Sequence, residues 1–309
     1  MSVIRVEHLQ KSYAATRALD DVTFEVERGE VFALLGPNGA GKTTCIEILE
    51  GFHSRDGGTV EVLGLDPGVR REQEELRTRI GVVLQELAVE SFFTVRQVLT
   101  RNAGLYDAPR SVDEVIELVG LSEKADAKVK RLSGGQQRRL DIGLGIIGRP
   151  ELLFLDEPTT GLDPGARRTT WDVIRTLASS GTTVLLSSHY MDEVEALAQR
   201  VIVLSKGRIV ASGAPASIGG RDRGETRIRF ALPEGLMAAP LPFEVSRRDD
   251  PFFEIDTDDE VRVLNQLTTW SLQERVTLTG LTVSRKSLED VYISLTTPEA
   301  AATGGGEDR

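Results

Sequence analysis

The chain has 309 residues, 40% hydrophobic and 28% charged, which suits a globular rather than a disordered protein and suggests about two domains. Its 37 basic and 48 acidic side chains give a net charge of −11, so no nucleic-acid partner is expected, and the single cysteine, Cys45, excludes an intrachain disulfide. Residues Met1 to Arg5 carry no apolar signal core, and no run approaches the ~20 apolar residues that cross a bilayer, so action at a membrane is expected only through a partner.

Residues 2 to 28 read as an antiparallel β region, in which Val22, Phe24 and Val26 alternate with polar residues. Glu30 to Leu35 predicts a buried strand running into Gly36, and a helix follows over about Lys42 to Leu49. The turn Asp56-Gly57-Gly58 precedes a strand at Thr59 to Leu63, and a charged helix near 70 to 78 leads to the strand Ile80 to Leu84. The middle, about 86 to 145, reads as helical, with apolar spacing in Thr94 to Tyr106 and Val112 to Val119 and Ser111 as an N-cap. Strands at Leu152 to Leu155, Thr182 to Leu186 and Val201 to Leu204 then alternate with helices at 165 to 179 and 191 to 199, which implies a parallel sheet covered by helices. A hairpin at Lys206-Gly207-Arg208 closes a first domain over 1 to 215. Gly213 to Gly224 reads as a linker, 225 to 297 as a small α+β domain, and 298 to 309 as a disordered tail. The last helix is expected to open at Ser287, with Asp290 completing a capping box and Leu288, Val291, Tyr292 and Leu295 on one apolar face.

Gly36-Pro37-Asn38-Gly39-Ala40-Gly41-Lys42-Thr43 matches the phosphate-loop pattern between a strand and a helix. Its glycines let backbone N–H groups curl around phosphate oxygens, and the helix aims its positive dipole end at them. Lys42 adds a charge at the β- and γ-phosphates, and the Thr43 hydroxyl is a Mg²⁺ ligand in this pattern. With Thr44 beside it, the run predicts binding of ATP. The apolar strand Leu152 to Leu155 ends in Asp156-Glu157, where a parallel sheet presents ligands. Asp156 is the expected Mg²⁺ partner and Glu157 the candidate base for the attacking water. Cys45 sits just inside the loop helix, where it reads as a small core residue or as a thiol acidified by the helix dipole.

Leu132-Ser133-Gly134-Gly135-Gln136 reads as a second helix N-terminus with open N–H groups. Together with the phosphate loop it resembles the signature of ABC-type ATPases. Other positions fit the same order. Tyr13 resembles the aromatic that stacks on adenine, and Gln85 the glutamine that contacts Mg²⁺ and senses the transmembrane partner. Asp163, in Gly161-Leu162-Asp163, resembles the loop that crosses the subunit interface, and His189 the histidine that contacts the γ-phosphate.

The resemblance covers about residues 1 to 215. It implies an α/β P-loop NTPase core with an antiparallel β subdomain and a helical subdomain, followed by the small C-terminal α+β domain. It also implies a homodimer in which two chains sandwich ATP head to tail, each offering Ser133 to Gln136 to the other's phosphate loop. The ending Ser287-Leu288-Glu289-Asp290-Val291-Tyr292, with Leu295-Thr296, resembles ATPase subunits of bacterial drug and antibiotic exporters. The expectation is a peripheral ATPase on the cytoplasmic face of the membrane, driving a separate polytopic permease that docks on 86 to 131. A soluble ABC ATPase acting on ribosomes or DNA and the ATPase of an importer are the alternatives, and the cargo is open.

Overall fold

The computed structural model describes residues 1–14, 16–83, 91–218, 226–233, 241, 245, 247–249, 252–285 and 288–296. Strand β1 (Ser2–Tyr13) pairs antiparallel with β2 (Thr16–Glu27) and with β4 (Gly57–Val62), in the order β2-β1-β4. Ile4, Val6 and Leu9 of β1 and Leu19, Val22, Phe24 and Val26 of β2 are buried. Strict alternation from Ile4 and Val6 would send His8 inward. A register shift between Val6 and Leu9, with His8 at φ 52°, instead turns His8 to solvent and Leu9 to the core. Asp21, at φ 63°, re-phases β2 in the same way, and its carboxylate lies 2.7 Å from His8 Nδ1.

A six-stranded sheet lies beyond it in the order β5-β6-β7-β3-β8-β9. Strands β3 (Val31–Leu35), β5 (Ile80–Val83), β6 (Leu152–Asp156), β7 (Thr183–Ser188) and β8 (Arg200–Ser205) are parallel, and β9 (Arg208–Gly213) returns antiparallel. Every residue of β3 and β7 is buried, which is why these segments read as continuous apolar or small-residue runs. Phe24 stacks on Phe32 at 5.4 Å and joins the two sheets.

Helix α1 (Lys42–Leu49) leaves β3, and α2 (Arg70–Arg79) precedes β5. Helices α3 (Val95–Ala103), α4 (Val112–Leu118) and α5 (Gly134–Ile146) make the helical part. Thr94 and Gln97 form a capping box on α3, whereas Ser111 stands at the N-cap of α4 without a capping side-chain bond. Helix α5 lies close to β5 because two glycines face each other there; a Cβ on Gly81 would come 2.1 Å from the Gly145 carbonyl oxygen. Helices α6 (Pro164–Ser179) and α7 (Met191–Leu197) flank β7 in sequence. Cys45 is fully buried and its thiol is pushed up to about 12 by burial, so it is a core residue.

The chain divides into two compact units, Met1–Pro215 and Ala216–Arg309. The second contains β10 (Thr226–Ala231), β11 (Arg247–Asp249), β12 (Phe252–Thr257), α8 (Glu260–Gln273), β13 (Thr279–Arg285) and α9 (Leu288–Thr296). Its antiparallel sheet has the order β11-β12-β10-β13, with Ile228, Phe230, Phe253 and Ile255 packed on Val263 and Leu267 of α8. Arg227 of β10 binds Asp256, at 3.0 Å, and Asp290 of α9. Ser287, expected to cap α9, lies outside the described residues, as do residues 219 to 224 of the expected linker and the whole tail.

Candidate functional site

The sheet order sets the site. Strands β6, β7 and β3 are neighbours, Asp156 is level with Ser187, and Leu35 is level with Ser188. The carboxyl ends of three adjacent strands therefore deliver Asp156-Glu157, Ser187-Ser188-His189 and the loop from Gly36 to one edge. A cavity of about 430 Å³ opens there, lined by Asn38, Gly39, Gly41, Lys42, Thr43, Thr44, Asp156 and Glu157, with Thr16 and Ala18 of β2.

Gly41 is the N-cap of α1, at φ 104°, and a Cβ there would sit 2.4 Å from the Ala18 carbonyl oxygen. Only glycine fits that turn. No side chain caps α1, so its first-turn N–H groups face the cavity without a side-chain acceptor. The turn is closed by the Ala40 N–H donating to Pro37 O at 3.1 Å. Lys42 is 5% exposed, and its Nζ donates to Gly36 O at 2.8 Å and Pro37 O at 3.2 Å. Burial lowers its pKa, while the charges of Glu157 and Asp156 oppose that shift. This is a desolvated cation in a ring of backbone dipoles, a site for a polyanion.

The Thr43 hydroxyl donates to Asp156 Oδ2 at 3.4 Å, and Asp156 Oδ1 accepts from Ser187 Oγ. Glu157 stands at φ 46°, left-handed for a side chain that disfavours it by roughly 1–2 kcal/mol. Its N–H donates to Ser187 Oγ at 3.0 Å, and its Oε2 accepts from Thr160 Oγ1 at 3.1 Å. Its Oε1 lies 3.7 Å from Lys42 Nζ and 3.2 Å from His189 Nδ1. The histidine contact lacks hydrogen-bond geometry, which leaves buried Nδ1 without a partner. A carboxylate, an imidazole and an ammonium thus meet beside the loop.

Three buried ionisable side chains near this edge belong to none of the sequence motifs. Glu193 of α7 is fully buried and accepts from Thr159 Oγ1 at 2.7 Å and Trp171 Nε1 at 3.1 Å. Burial raises its pKa against the hydrogen bonds of Ser188, Thr159 and Trp171. Glu50, at the C-cap of α1, is 4% exposed, with Oε2 unpartnered. Burial, and then the charges of Asp156 and Glu47, push it up to about 8. Arg138, on α5, is 7% exposed. Helical spacing held a signal for two of them: Glu193 shares a face with Leu197, and Arg138 with Ile142.

None of Ser133 to Gln136 lines the cavity. They begin α5 with a capping box: Ser133 Oγ accepts from Gln136 N at 3.3 Å and Gln136 Oε1 from Ser133 N at 3.0 Å. Ser133 and Gly134 are exposed, whereas Gly135 is buried against Ala166. Asp163 caps α6, accepting from Gly165 N at 2.9 Å and Ala166 N at 3.0 Å. Tyr13 is 43% exposed, edge-on to His53 at 6.2 Å, and pairs in the β1–β2 ladder with cavity-lining Thr16. Gln85 lies outside the described residues.

The family model described as ABC transporter matches residues 19–160, and one described as ABC transporter domain-containing protein-like, C-terminal domain, matches 226–287. The chain is 37% identical over 310 residues to the daunorubicin/doxorubicin resistance ATP-binding protein DrrA of Streptomyces peucetius, covering 95% of this chain and 92% of that one. The chain belongs to the ABC transporter ATP-binding proteins. It is thus an ATPase, the ATP-binding subunit of a transporter, and among its described residues no helix is long and apolar enough to cross a membrane. The linearmycin resistance ATP-binding protein LnrL of Bacillus subtilis is 32% identical over 311 residues, 95% of this chain and 98% of that protein. The Nod factor export ATP-binding protein I of Paraburkholderia xenovorans is 41% identical over 222 residues, 70% and 72% of the two chains. Among solved structures, cbiO1 of Clostridium perfringens, part of the ABC transporter complex cbiONQ, superposes with a TM-score of 0.65 at 29% identity, over 70% of this chain and 90% of that one.

Proposed function

We propose that this ABC ATPase powers export of drug-like or antibiotic compounds through a separate polytopic permease, from the cytoplasmic face of the membrane. Relatives named for daunorubicin/doxorubicin and linearmycin resistance, aligned over nearly the whole chain, support the cargo class, and one named for Nod factor export supports the direction. The net charge of −11 gives the chain no overall electrostatic reason to bind nucleic acid, which favours this reading over an ABC ATPase acting on ribosomes or DNA.

The observation that carries the mechanism is the convergence of Lys42, Thr43, Asp156, Glu157 and His189 at one edge, with Ser133 to Gln136 outside the cavity. In this reading Lys42 and the first-turn amides of α1, from Lys42 to Thr44, hold the β- and γ-phosphates, with Gly36 to Gly41 shaping the loop. The Thr43 hydroxyl and the Asp156 carboxylate, hard oxygen donors already 3.4 Å apart, fit Mg²⁺, which takes few protein ligands and keeps water and phosphate oxygens. Gln85 is the further ligand expected there. The bound ion supplies charge neutralisation at the β- and γ-oxygens. Glu157 orients the attacking water and takes its proton, and His189 and Lys42 face the γ-phosphate. Tyr13 stacks on the adenine. Ser133 to Gln136 and Asp163 complete the site of a second copy, which makes the working unit a head-to-tail homodimer. ATP favours that closed dimer because it touches both faces only there.

Glu157→Gln tests the reading. With ATP and Mg²⁺ it is expected to keep nucleotide binding, to lose roughly 10²- to 10⁴-fold in phosphate release, and to elute as a dimer. Affinity capture of that variant from detergent-solubilised cells is expected to bring down a stoichiometric polytopic membrane protein. Unchanged turnover removes Glu157 as the base, and capture of ribosomal or DNA-repair proteins removes the transporter partner.

A further inference from the structure

Arg138 stands on the buried face of α5, in the turn after the Ser133–Gln136 cap. Its Nε donates to Pro158 O at 2.8 Å and its Nη2 to Asp156 O at 2.8 Å. Those carbonyls belong to the residues on either side of Glu157, whose backbone is the left-handed outlier at φ 46°. The Glu157 N–H is held by Ser187 Oγ at 3.0 Å. One planar guanidinium fork therefore pins both flanks of the turn that aims the Glu157 carboxylate. A lysine, with a single point of charge, has no fork to span the two carbonyls.

The pair that Arg138 makes with its own helix does not account for its burial. Asp141 Oδ2 is 3.7 Å from Nη1, outside hydrogen-bond reach, and burial pushes Asp141 up to about 7 against the pull of Arg138. Burial lowers Arg138 in turn. Buried ion pairs of this kind are often matched or exceeded in stability by apolar side chains of the same volume. Stability alone is thus a weak reason for a guanidinium here, whereas geometry at Glu157 is a specific one.

We infer that Arg138 is a positioning residue for ATP hydrolysis, fixing the strained turn that presents Glu157 from the helix that begins at Ser133. The inference rests on the reading of Glu157 as the base. Without the fork the turn relaxes toward ordinary backbone angles and the carboxylate leaves the attacking water, while the phosphate loop on β3 and α1 keeps its shape. The signature of such a role is a fall in kcat at nearly constant nucleotide affinity.

The test uses the full chain and four proteins: the parent, Arg138→Lys, Glu157→Gln and the double variant. Phosphate release is measured across ATP concentrations with Mg²⁺, nucleotide affinity with a fluorescent ATP analogue, and folding by thermal melting. Arg138→Lys is expected to lower kcat by about tenfold to a hundredfold with affinity within about twofold, as a misplaced reacting group does. In the Glu157→Gln background the same substitution is expected to change residual single-turnover hydrolysis by less than about twofold, because the two residues act as one unit. Should Arg138→Lys fold poorly, Arg138→Met with Asp141→Leu removes both buried charges at similar volume and still deletes the fork. Parental kcat in the folded variant, or an equal fractional loss in both backgrounds, overturns the inference while an inactive Glu157→Gln leaves the base reading standing. Parental turnover in Glu157→Gln itself fails that reading, and the role of Arg138 falls with it.

Discussion

At the scale of single residues, Glu50 is a carboxyl that the fold keeps protonated: burial first, with one oxygen unpartnered, and then the charges of Asp156 and Glu47 push it up to about 8. Its pKa in the unfolded chain is near the ordinary 4.5. A folded pKa raised above the unfolded one means that the folded state keeps a proton the unfolded state has lost. The stabilisation by that proton is full below about pH 4.5, declines as pH rises, and is gone above about pH 8. Glu50→Gln keeps the shape and carries no such proton. Without nucleotide, the variant and the parent are expected to melt alike near pH 5, while at about pH 9 the variant is more stable by an amount on the order of a few kcal/mol. Melting curves at both values decide it; a difference that stays constant between them contradicts the buried, proton-holding carboxyl.

At the scale of elements, close approach of backbones positions the chemistry. Helix α5 reaches β5 across Gly81 and Gly145, and a methyl on Gly81 would meet a carbonyl oxygen, which cannot move aside as a side-chain tip does. Gly81→Ala is therefore expected to destabilise the fold by roughly 1–3 kcal/mol, read as a lowered urea midpoint, and to shift α5 from the loop that its Arg138 holds. An unchanged midpoint shows that β5 and α5 separate freely. Much of the element order was legible in the sequence, because buried parallel strands such as β3 and β6 leave unbroken apolar runs and the glycine-rich loop marks the turn between strand and helix. The bulges at His8 and Asp21 were not, since a phase change in two paired strands is a property of their register. Nor does spacing along the chain reveal that β7 lies between β6 and β3, which puts His189 beside Glu157. Arg138 and Glu193 escaped for a related reason: their spacing fits an apolar face, and only tertiary contacts show which groups they hold.

At the scale of the whole molecule, each chain presents two unlike faces, a cavity bearing Lys42 and Glu157 and an exposed helix start bearing Ser133. If the first face of one copy is completed by the second face of another, defects on the two faces complement each other. Lys42→Ala removes the buried ammonium from the cavity and leaves Ser133 intact; Ser133→Arg places a bulky cation at the helix start and leaves the cavity intact. Each alone is expected to hydrolyse ATP at a small fraction of the parental rate, since every site in either homodimer carries a defect. In an equimolar mixture half of the dimers formed at random are mixed, and each mixed dimer holds one site with both defects and one with neither. Phosphate release is then expected to recover to about a quarter of the parental rate, for sites that work independently in a two-fold dimer. A mixture no faster than the mean of its two components contradicts the head-to-tail arrangement, because a site built wholly within one chain gains nothing from the other.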